Sequence, residues 1–136
     1  MLTPIEHTRT KEATKRYKVE PYVVAADVYG NNNLAGRGGW TWYTGSSSWF
    51  YKAGIENILG LKIENNTLKL EPCIPKGWKE YEIKYKYKNS IYNITVKNLN
   101  EKNTEIQKFL VNGEEIQEKQ IKLQDTGNIY TIEAWM

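Results

Sequence analysis

Cysteine and histidine are nearly missing from this sequence of 136 residues, which contains one of each, Cys73 and His7. A single cysteine excludes an internal disulfide, and one cysteine with one histidine provides too few ligands for a zinc site, so we expect no metal. A cysteine–histidine nucleophilic pair stays open on residue types alone. However, Cys73 lies between Pro72 and Ile74-Pro75, which are expected to form a rigid turn. A buried structural thiol is therefore the favoured interpretation.

Long apolar runs and a strong charge imbalance are also missing. No stretch reaches the roughly 18 apolar residues of a membrane-spanning helix, and residues 1–18 lack the apolar core of a signal peptide. The formal net charge of +3, from 19 basic and 16 acidic residues, is too small to favour nucleic acid. The lysines between positions 62 and 122 are expected on solvated strand faces. These absences favour a cytoplasmic globular protein that binds neither nucleic acid nor membrane.

Aromatic residues, by contrast, make up 12% of the chain, with five tryptophans and ten tyrosines. Flat rings stack on sugars and bases, and they also fill the cores of β-sandwiches. The core interpretation accounts for most of them. The stretch GRGGWTWYTGSSSWFY, residues 36–51, is different because its rings stand beside glycines and hydroxyls.

Helical patterns dominate before residue 60. Thr10 is the predicted N-cap of a helix that begins at Lys11 and either ends before Glu20 or kinks there, because Pro21 interrupts the pattern. The following run PYVVAADVY has apolar side chains at i, i+3, i+4 and i+7, which predicts a second helical segment over residues 21–29.

A further helix is predicted from about Ser46 to Leu59, with Gly60 as its stop. Its apolar residues cover most of its circumference, which is typical of a helix that belongs inside a larger helical assembly.

Strand patterns and turns dominate after residue 60. Hairpin turns are predicted at Asn65-Asn66, Lys88-Asn89 and Asn112-Gly113, and a further turn at 125–128. Seven or eight short alternating strands predict an antiparallel sandwich. The fold class expected for the whole chain is α+β.

The residues Thr44-Gly45-Ser46 stand where the third helix is expected to begin. Free backbone N–H groups and the positive end of the helix dipole gather at such a position, which suits an anion such as phosphate. An ordinary N-cap by Thr or Ser explains the same residues. Arg37, upstream, pairs either with an anion or with an acidic neighbour.

The tryptophans of this stretch also have two interpretations. Trp40, Trp42 and Trp49 either line a sugar subsite by stacking or seal helices against the sandwich. Paired carboxylates suit glycoside hydrolysis, and Glu20 and Asp27 are the acids nearest the stretch in the helical part. A structural role for both acids is the favoured interpretation.

Three blocks together carry a family resemblance. YKVEPYVVAADVY, GRGGWTWYTGSSSWFYKAGIENILGL and LEPCIPKGW, spanning residues 17–78, resemble the C-terminal end of the inverting glycoside phosphorylases of glycoside hydrolase family 94. The version here is most similar to the cyclic β-1,2-glucan synthase type, and cellobiose and chitobiose phosphorylases are further relatives.

The resemblance implies an (α/α)6 helical barrel followed by a β-sandwich, so we expect residues 1–60 to be the last barrel helices with a phosphate loop, and 61–136 the sandwich. It implies cleavage of a β-glucosidic bond by inorganic phosphate to give an α-sugar 1-phosphate, with no other cofactor. It assigns phosphate binding to Thr44 and Gly45. The family's catalytic Asp lies upstream of the matched blocks, and His7 is too near the motif to be the family's phosphate-binding His.

We therefore expect no catalytic residue in this chain and no activity from it alone. The expected partners are a β-glucan oligosaccharide or disaccharide, phosphate, and an upstream polypeptide that supplies the barrel. Arg37, Trp40, Trp42 and Ser46 are further candidates for substrate or anion contacts. The alternative is a noncatalytic β-sandwich that binds carbohydrate or associates with a barrel.

Overall fold

The computed structural model describes residues 4–20, 23–42 and 44–136. Two predicted features lie partly outside the described residues. They are the start of the second predicted helix, at Pro21-Tyr22, and the aromatic stretch, at Tyr43.

The chain divides into two compact units, Met1–Tyr51 and Lys52–Met136. In the first unit, helix α1 spans Pro4–Thr8 and helix α2 spans Lys11–Tyr17. The predicted start of α2 is confirmed, since the Thr10 side chain accepts a hydrogen bond from the Ala13 N–H at 3.1 Å.

The prediction of a helix over residues 21–29 is wrong for the described residues 23–29, which contain no helix and form an isolated antiparallel bridge between Val28 and Gly38. They pair with residues 36–40, and the hydrogen bond from Ala26 N–H to the Trp40 carbonyl is 2.7 Å long. These nonlocal bonds satisfy the backbone groups that a helix would satisfy locally. Two adjacent valines also weaken the helical tendency because their side chains are β-branched.

Helix α3 spans Thr44–Lys52, and a π-helical segment spans Ala53–Ile58 at the start of the second unit. The predicted helix from about Ser46 to Leu59 is thus confirmed as two helical segments. Gly60 ends the second one with a φ of 76°, which glycine adopts without steric cost.

The second unit contains two sheets. The eight described strands are β1 Leu61–Glu64, β2 Thr67–Leu70, β3 Glu80–Tyr87, β4 Ser90–Lys97, β5 Lys108–Val111, β6 Glu114–Glu115, β7 Gln120–Lys122 and β8 Ile129–Trp135. One sheet has the order β1-β2-β7 and the other has the order β3-β4-β8-β5-β6. The three predicted hairpins are confirmed, since β1–β2, β3–β4 and β5–β6 are antiparallel pairs across the expected turns.

The prediction of a fully antiparallel sandwich is corrected at one place. Strand β8 lies between β4 and β5 and runs parallel to β4, with Ile94 opposite Ile132. The five-stranded sheet is therefore mixed. The parallel neighbour is distant in sequence, and a local pattern of alternation carries no information about such a pairing.

One hydrophobic core lies between the two sheets. Leu68 and Leu70 contribute from the three-stranded sheet, and Ile94, Phe109 and Ile132 from the five-stranded sheet. This arrangement confirms an α+β chain with a C-terminal β-sandwich. Lys69, Lys84 and Lys86 alternate with inward-facing residues and face solvent, as β3 shows by its exposed and half-buried alternation, whereas Lys62 and Lys97 are half-buried.

Cys73 is exposed, so the expectation of a buried thiol is wrong. The residue forms an isolated antiparallel bridge with Thr104. In this extended segment Pro72 and Ile74 face inward, and the alternation turns Cys73 outward. The segment that contains Pro72 and Pro75 is therefore extended at Cys73, whereas a rigid turn was predicted.

The exposed face of the three-stranded sheet carries a small ion-pair network. Glu71 pairs with Lys62 and with Lys69. Hydrogen bonds from these two lysines lower the pKa of Glu71 to about 2.

Candidate functional site

The first unit contains a cavity of about 550 Å³ beside the C-terminal end of α2. Its lining consists of Thr14, Lys18, Val19, Glu20, Arg37, Gly38, Gly39 and Thr41. Two cations, two hydroxyls and bare glycine backbone therefore meet at one concave surface. This combination can bind an anion, because guanidinium and ammonium groups form charge-assisted hydrogen bonds with anionic oxygens.

The loop that carries Arg37 is fixed against α2. The Gly38 N–H donates to the carbonyl of Tyr17, the last residue of α2, at 2.8 Å. Lys18 then adopts a left-handed backbone with φ 55°, and its N–H donates to the Thr14 carbonyl at 3.0 Å. This ending of the helix brings Lys18 and Arg37 to the same cavity.

Glycine is required in this loop because other segments of the first unit approach its backbone. A Cβ at Gly38 would lie 2.3 Å from Val19 Cγ2, and a Cβ at Gly39 would lie 1.8 Å from Asp27 Oδ1. Both distances are far below van der Waals contact. Packing within the first unit therefore explains why glycine stands at positions 38 and 39 of the stretch 36–51.

The two acids near the motif both hold the loop. Asp27 Oδ1 accepts a hydrogen bond from the Trp40 N–H at 3.2 Å, and Glu20 Oε1 accepts one from the Trp42 indole N–H at 3.4 Å. The favoured structural interpretation of these carboxylates agrees with these contacts. Glu20 in addition lines the Arg37 cavity.

The tryptophans of the motif present large exposed surfaces. The exposed fractions are 73% for Trp40, 64% for Trp42 and 73% for Trp49. Trp42 has a φ of 60°, an uncommon backbone conformation for a bulky residue. An indole ring presents a flat apolar face, which can stack on a flat apolar ligand.

Thr44 is the first residue of α3, so Thr44, Gly45 and Ser46 form the first helical turn. The first N–H groups of an α-helix have no partner within the helix, and the dipole is positive there. The side chains of residues 44–47 lie outside the described part of the chain. The predicted anion-binding position is therefore described at the level of backbone only.

Sequence reasoning singled out Arg37 but missed Lys18, Thr14 and Thr41, which share its cavity. No helical spacing links Thr14 to Lys18, because α2 ends at Tyr17 and Lys18 has a left-handed backbone. Their proximity to Arg37 depends on how the loop folds onto α2, and no local pattern encodes it. Among the described residues, no group of three or more His, Cys, Asp or Glu side chains could hold a metal ion, and no helix is long and apolar enough to cross a membrane.

Two family models match the chain in succession. Residues 1–60 match the Glycosyl hydrolase 94 superfamily, catalytic domain. Residues 61–117 match the Glycosyl hydrolase family 65, C-terminal domain. The first match covers the Arg37 cavity and the start of α3, and the second begins at strand β1.

Individual relatives agree with these matches. The chain is 46% identical to cyclic beta-(1,2)-glucan synthase NdvB of Rhizobium meliloti (strain 1021) over 96 residues, which are 71% of this chain and 3% of that protein. It is 36% identical to N,N'-diacetylchitobiose phosphorylase of Vibrio furnissii over 98 residues, 71% of this chain and 12% of that protein. It is 28% identical to solabiose phosphorylase of Paenibacillus borealis over 118 residues, 86% of this chain and 15% of that protein. The chain thus spans a small fraction of the length of these curated relatives.

Proposed function

Because residues 1–60 belong to the glycoside hydrolase 94 superfamily, we propose that the chain supplies the C-terminal part of a carbohydrate phosphorylase. Residues 1–60 provide the last helices and the phosphate loop of an (α/α)6 barrel, and residues 61–136 provide the β-sandwich that follows it. The reaction is cleavage of a β-glucosidic bond by inorganic phosphate, which yields an α-sugar 1-phosphate. The single observation that carries this proposal is the family match over the segment where α3 begins at Thr44.

Phosphate binds at the first turn of α3. Unpartnered N–H groups and the positive dipole end favour a dianion there, and Gly45 lets the ligand approach the backbone. The Thr44 and Ser46 hydroxyls add hydrogen-bond donors. Arg37 contributes an exposed guanidinium, which forms no ion pair with any residue of the described ranges.

The chemistry needs an acid that this chain does not supply. A phosphate oxygen attacks the anomeric carbon from the face opposite the leaving group, and an acid protonates the leaving glycosidic oxygen. Glu20 and Asp27 are held in hydrogen bonds with Trp42 and Trp40, which favours structural roles for both. We therefore assign the acid to an upstream polypeptide that supplies the rest of the barrel, and we expect the chain alone to be inactive.

The sugar substrate is a β-linked glucose oligosaccharide or disaccharide. The exposed rings of Trp40, Trp42 and Trp49 support this choice, since a pyranose presents an apolar face that stacks on an indole. We also propose a cytoplasmic location, in which the exposed Cys73 thiol would stay reduced.

The test is a phosphate-consumption assay on the chain alone and on its mixture with the upstream polypeptide. The substrates are β-1,2-glucooligosaccharides, cellobiose, N,N′-diacetylchitobiose and solabiose, and sugar 1-phosphate is measured in parallel. Activity is expected in the mixture only. Thr44→Ala is expected to lower it roughly 100-fold, which is typical for loss of one donor to a developing charge.

Thr95→Ala is the matched control, because it also removes one threonine hydroxyl but lies in β4 of the sandwich. Activity of the chain alone would contradict the assignment of the acid to the upstream polypeptide. Absence of phosphorylase activity in the mixture would overturn the phosphorylase proposal. It would favour a noncatalytic module that binds carbohydrate or associates with a barrel.

A further inference from the structure

Strand β3 is a terminal strand of the five-stranded sheet, and its outer edge has no strand neighbour among the described residues. It is eight residues long, whereas β6 at the opposite edge has two residues. A long free edge presents a row of unpaired N–H and C=O groups to other chains. This edge is therefore a surface for strand pairing.

The direction of its backbone groups follows from the hairpin. Tyr87 and Ser90 face each other across the two-residue turn at Lys88-Asn89, so they form a hydrogen-bonded pair. Alternation along the ladder then points the N–H and C=O groups of every second residue away from β4. The residues with outward-pointing backbone groups are Glu80, Glu82, Lys84 and Lys86.

The charges of these four residues are ordered so that two antiparallel copies of the strand place opposite charges face to face. Reading along β3, two acids are followed by two bases, and all four side chains are exposed. None of the four forms an ion pair with another described residue. When a second copy lies antiparallel with Ile83 opposite its own equivalent, Glu80 faces Lys86 and Glu82 faces Lys84, and each pair occurs twice.

Other alignments weaken this complementarity, because they bring like charges opposite each other. Shifting the antiparallel register by two residues places Glu82 opposite Glu82 or Lys84 opposite Lys84, and parallel alignment in register places every charge beside its own kind. Opposite charges directly across two strands stabilise pairing, and like charges weaken it. In the favoured register the half-buried Tyr81 and Tyr85 also face each other on the core side.

We propose that two copies of this chain associate through antiparallel pairing of β3 with β3, in the register that places Ile83 on the two-fold axis. The symmetric edge is isologous, so each copy uses the same surface. The pairing joins two five-stranded sheets into one continuous sheet. The inference is independent of the phosphorylase proposal, because it uses the second unit alone.

Sedimentation velocity of the full chain tests the proposal. The trial protein concentrations are roughly 2 to 200 µM, the range of dissociation constants expected for a small interface. The buffer contains a reductant, because the exposed Cys73 thiol could otherwise cross-link copies. A monomer–dimer equilibrium is expected, and it weakens as salt is raised, since exposed charge pairs are screened.

Charge-reversal variants show whether the dimer forms through the β3 edge or through another surface. The double variants E80K/E82K and K84E/K86E each make the edge uniformly charged, and each is expected to raise the dimer dissociation constant at least about 10-fold. An equimolar mixture of the two variants is expected to restore dimers, because a basic edge then meets an acidic one. K76E/K122E is the control for K84E/K86E, since it makes the same net charge change on exposed lysines away from β3.

Circular dichroism of each variant verifies that the sheet is intact. Monomers throughout the wild-type titration would overturn the proposal. Dimers that survive both reversals, or reversed variants that fail to dimerise when mixed, would overturn it equally, because the contact would then lie elsewhere.

Discussion

Replacement of Asn98 by alanine should destabilise the β-sandwich far more than replacement of a neighbouring exposed asparagine. Asn98 follows strand β4 and is completely buried. Its Nδ2 donates to the carbonyls of Trp78 and Lys102 at 3.0 and 2.8 Å, and its Oδ1 accepts from the Lys102 N–H at 2.8 Å. One side chain therefore satisfies three backbone groups from two other segments.

The expected magnitude follows from these three bonds. Alanine leaves two carbonyls and one N–H without their partner, and each such group costs on the order of 1 kcal/mol or more when water cannot replace the bond. Partial entry of water reduces the sum, so the expected loss in the free energy of unfolding is about 2–4 kcal/mol. Asn100→Ala removes one hydrogen bond, to the Met136 carbonyl, from an exposed residue and should cost below about 1 kcal/mol.

The assay is urea unfolding of the full chain followed by circular dichroism in the strand region, with equal slopes required for comparison. Asn98→Asp provides a second variant. It keeps the acceptor for Lys102 but turns an oxygen toward two carbonyl oxygens, so at neutral pH it should be at least as damaging as alanine. A loss for Asn98→Ala no larger than that of Asn100→Ala would refute the reasoning.

Two further predictions concern other parts of the molecule. Gly39→Ala should destabilise the first unit by about 1–3 kcal/mol, because the new Cβ would lie 1.8 Å from an Asp27 oxygen, whereas Gly30→Ala meets no atom within 4 Å and serves as control in hydrogen-exchange measurements of that unit. Glu71 has a pKa of about 2 in the folded chain, below its ordinary value of 4.5, so its contribution is present above pH 4.5 and is lost as the pH falls toward 2. Because the side chain is partly exposed, Glu71→Gln should remove less than about 1 kcal/mol of this acid dependence, and a carboxyl NMR titration midpoint near 4.5 in the wild type would contradict the pairing.

Features set by neighbouring residues could be predicted from the sequence. Asn65 and Asn66 adopt φ values of 48° and 59°, and Asn112 and Gly113 adopt 50° and 87°, the left-handed backbone that two-residue hairpins need. Asparagine and glycine tolerate this conformation, so the turns are visible in the sequence itself. The capped start of α2 at Thr10 is another local feature and was predicted for the same reason.

Features set by distant residues could not be predicted. The i, i+3, i+4 spacing of residues 21–29 resembles a helix face, but the described part is not helical and forms hydrogen bonds with residues 36–40. The parallel pairing of β4 with β8 depends on which strand reaches the gap beside β4, and no turn sequence specifies it. In the site, Arg37 was a candidate from its neighbours in sequence, while Lys18 joined it only through the fold of the loop.

The central place of β8 has a consequence for biosynthesis. Of the eight described strands β8 is the last in chain order, yet it is the strand that joins the β3–β4 hairpin to the β5–β6 hairpin. A ribosome must therefore release residues 129–135 before the five-stranded sheet can close. Until then the nascent chain exposes the apolar faces of two separate hairpins, and chaperones that bind such surfaces have their longest opportunity during this interval.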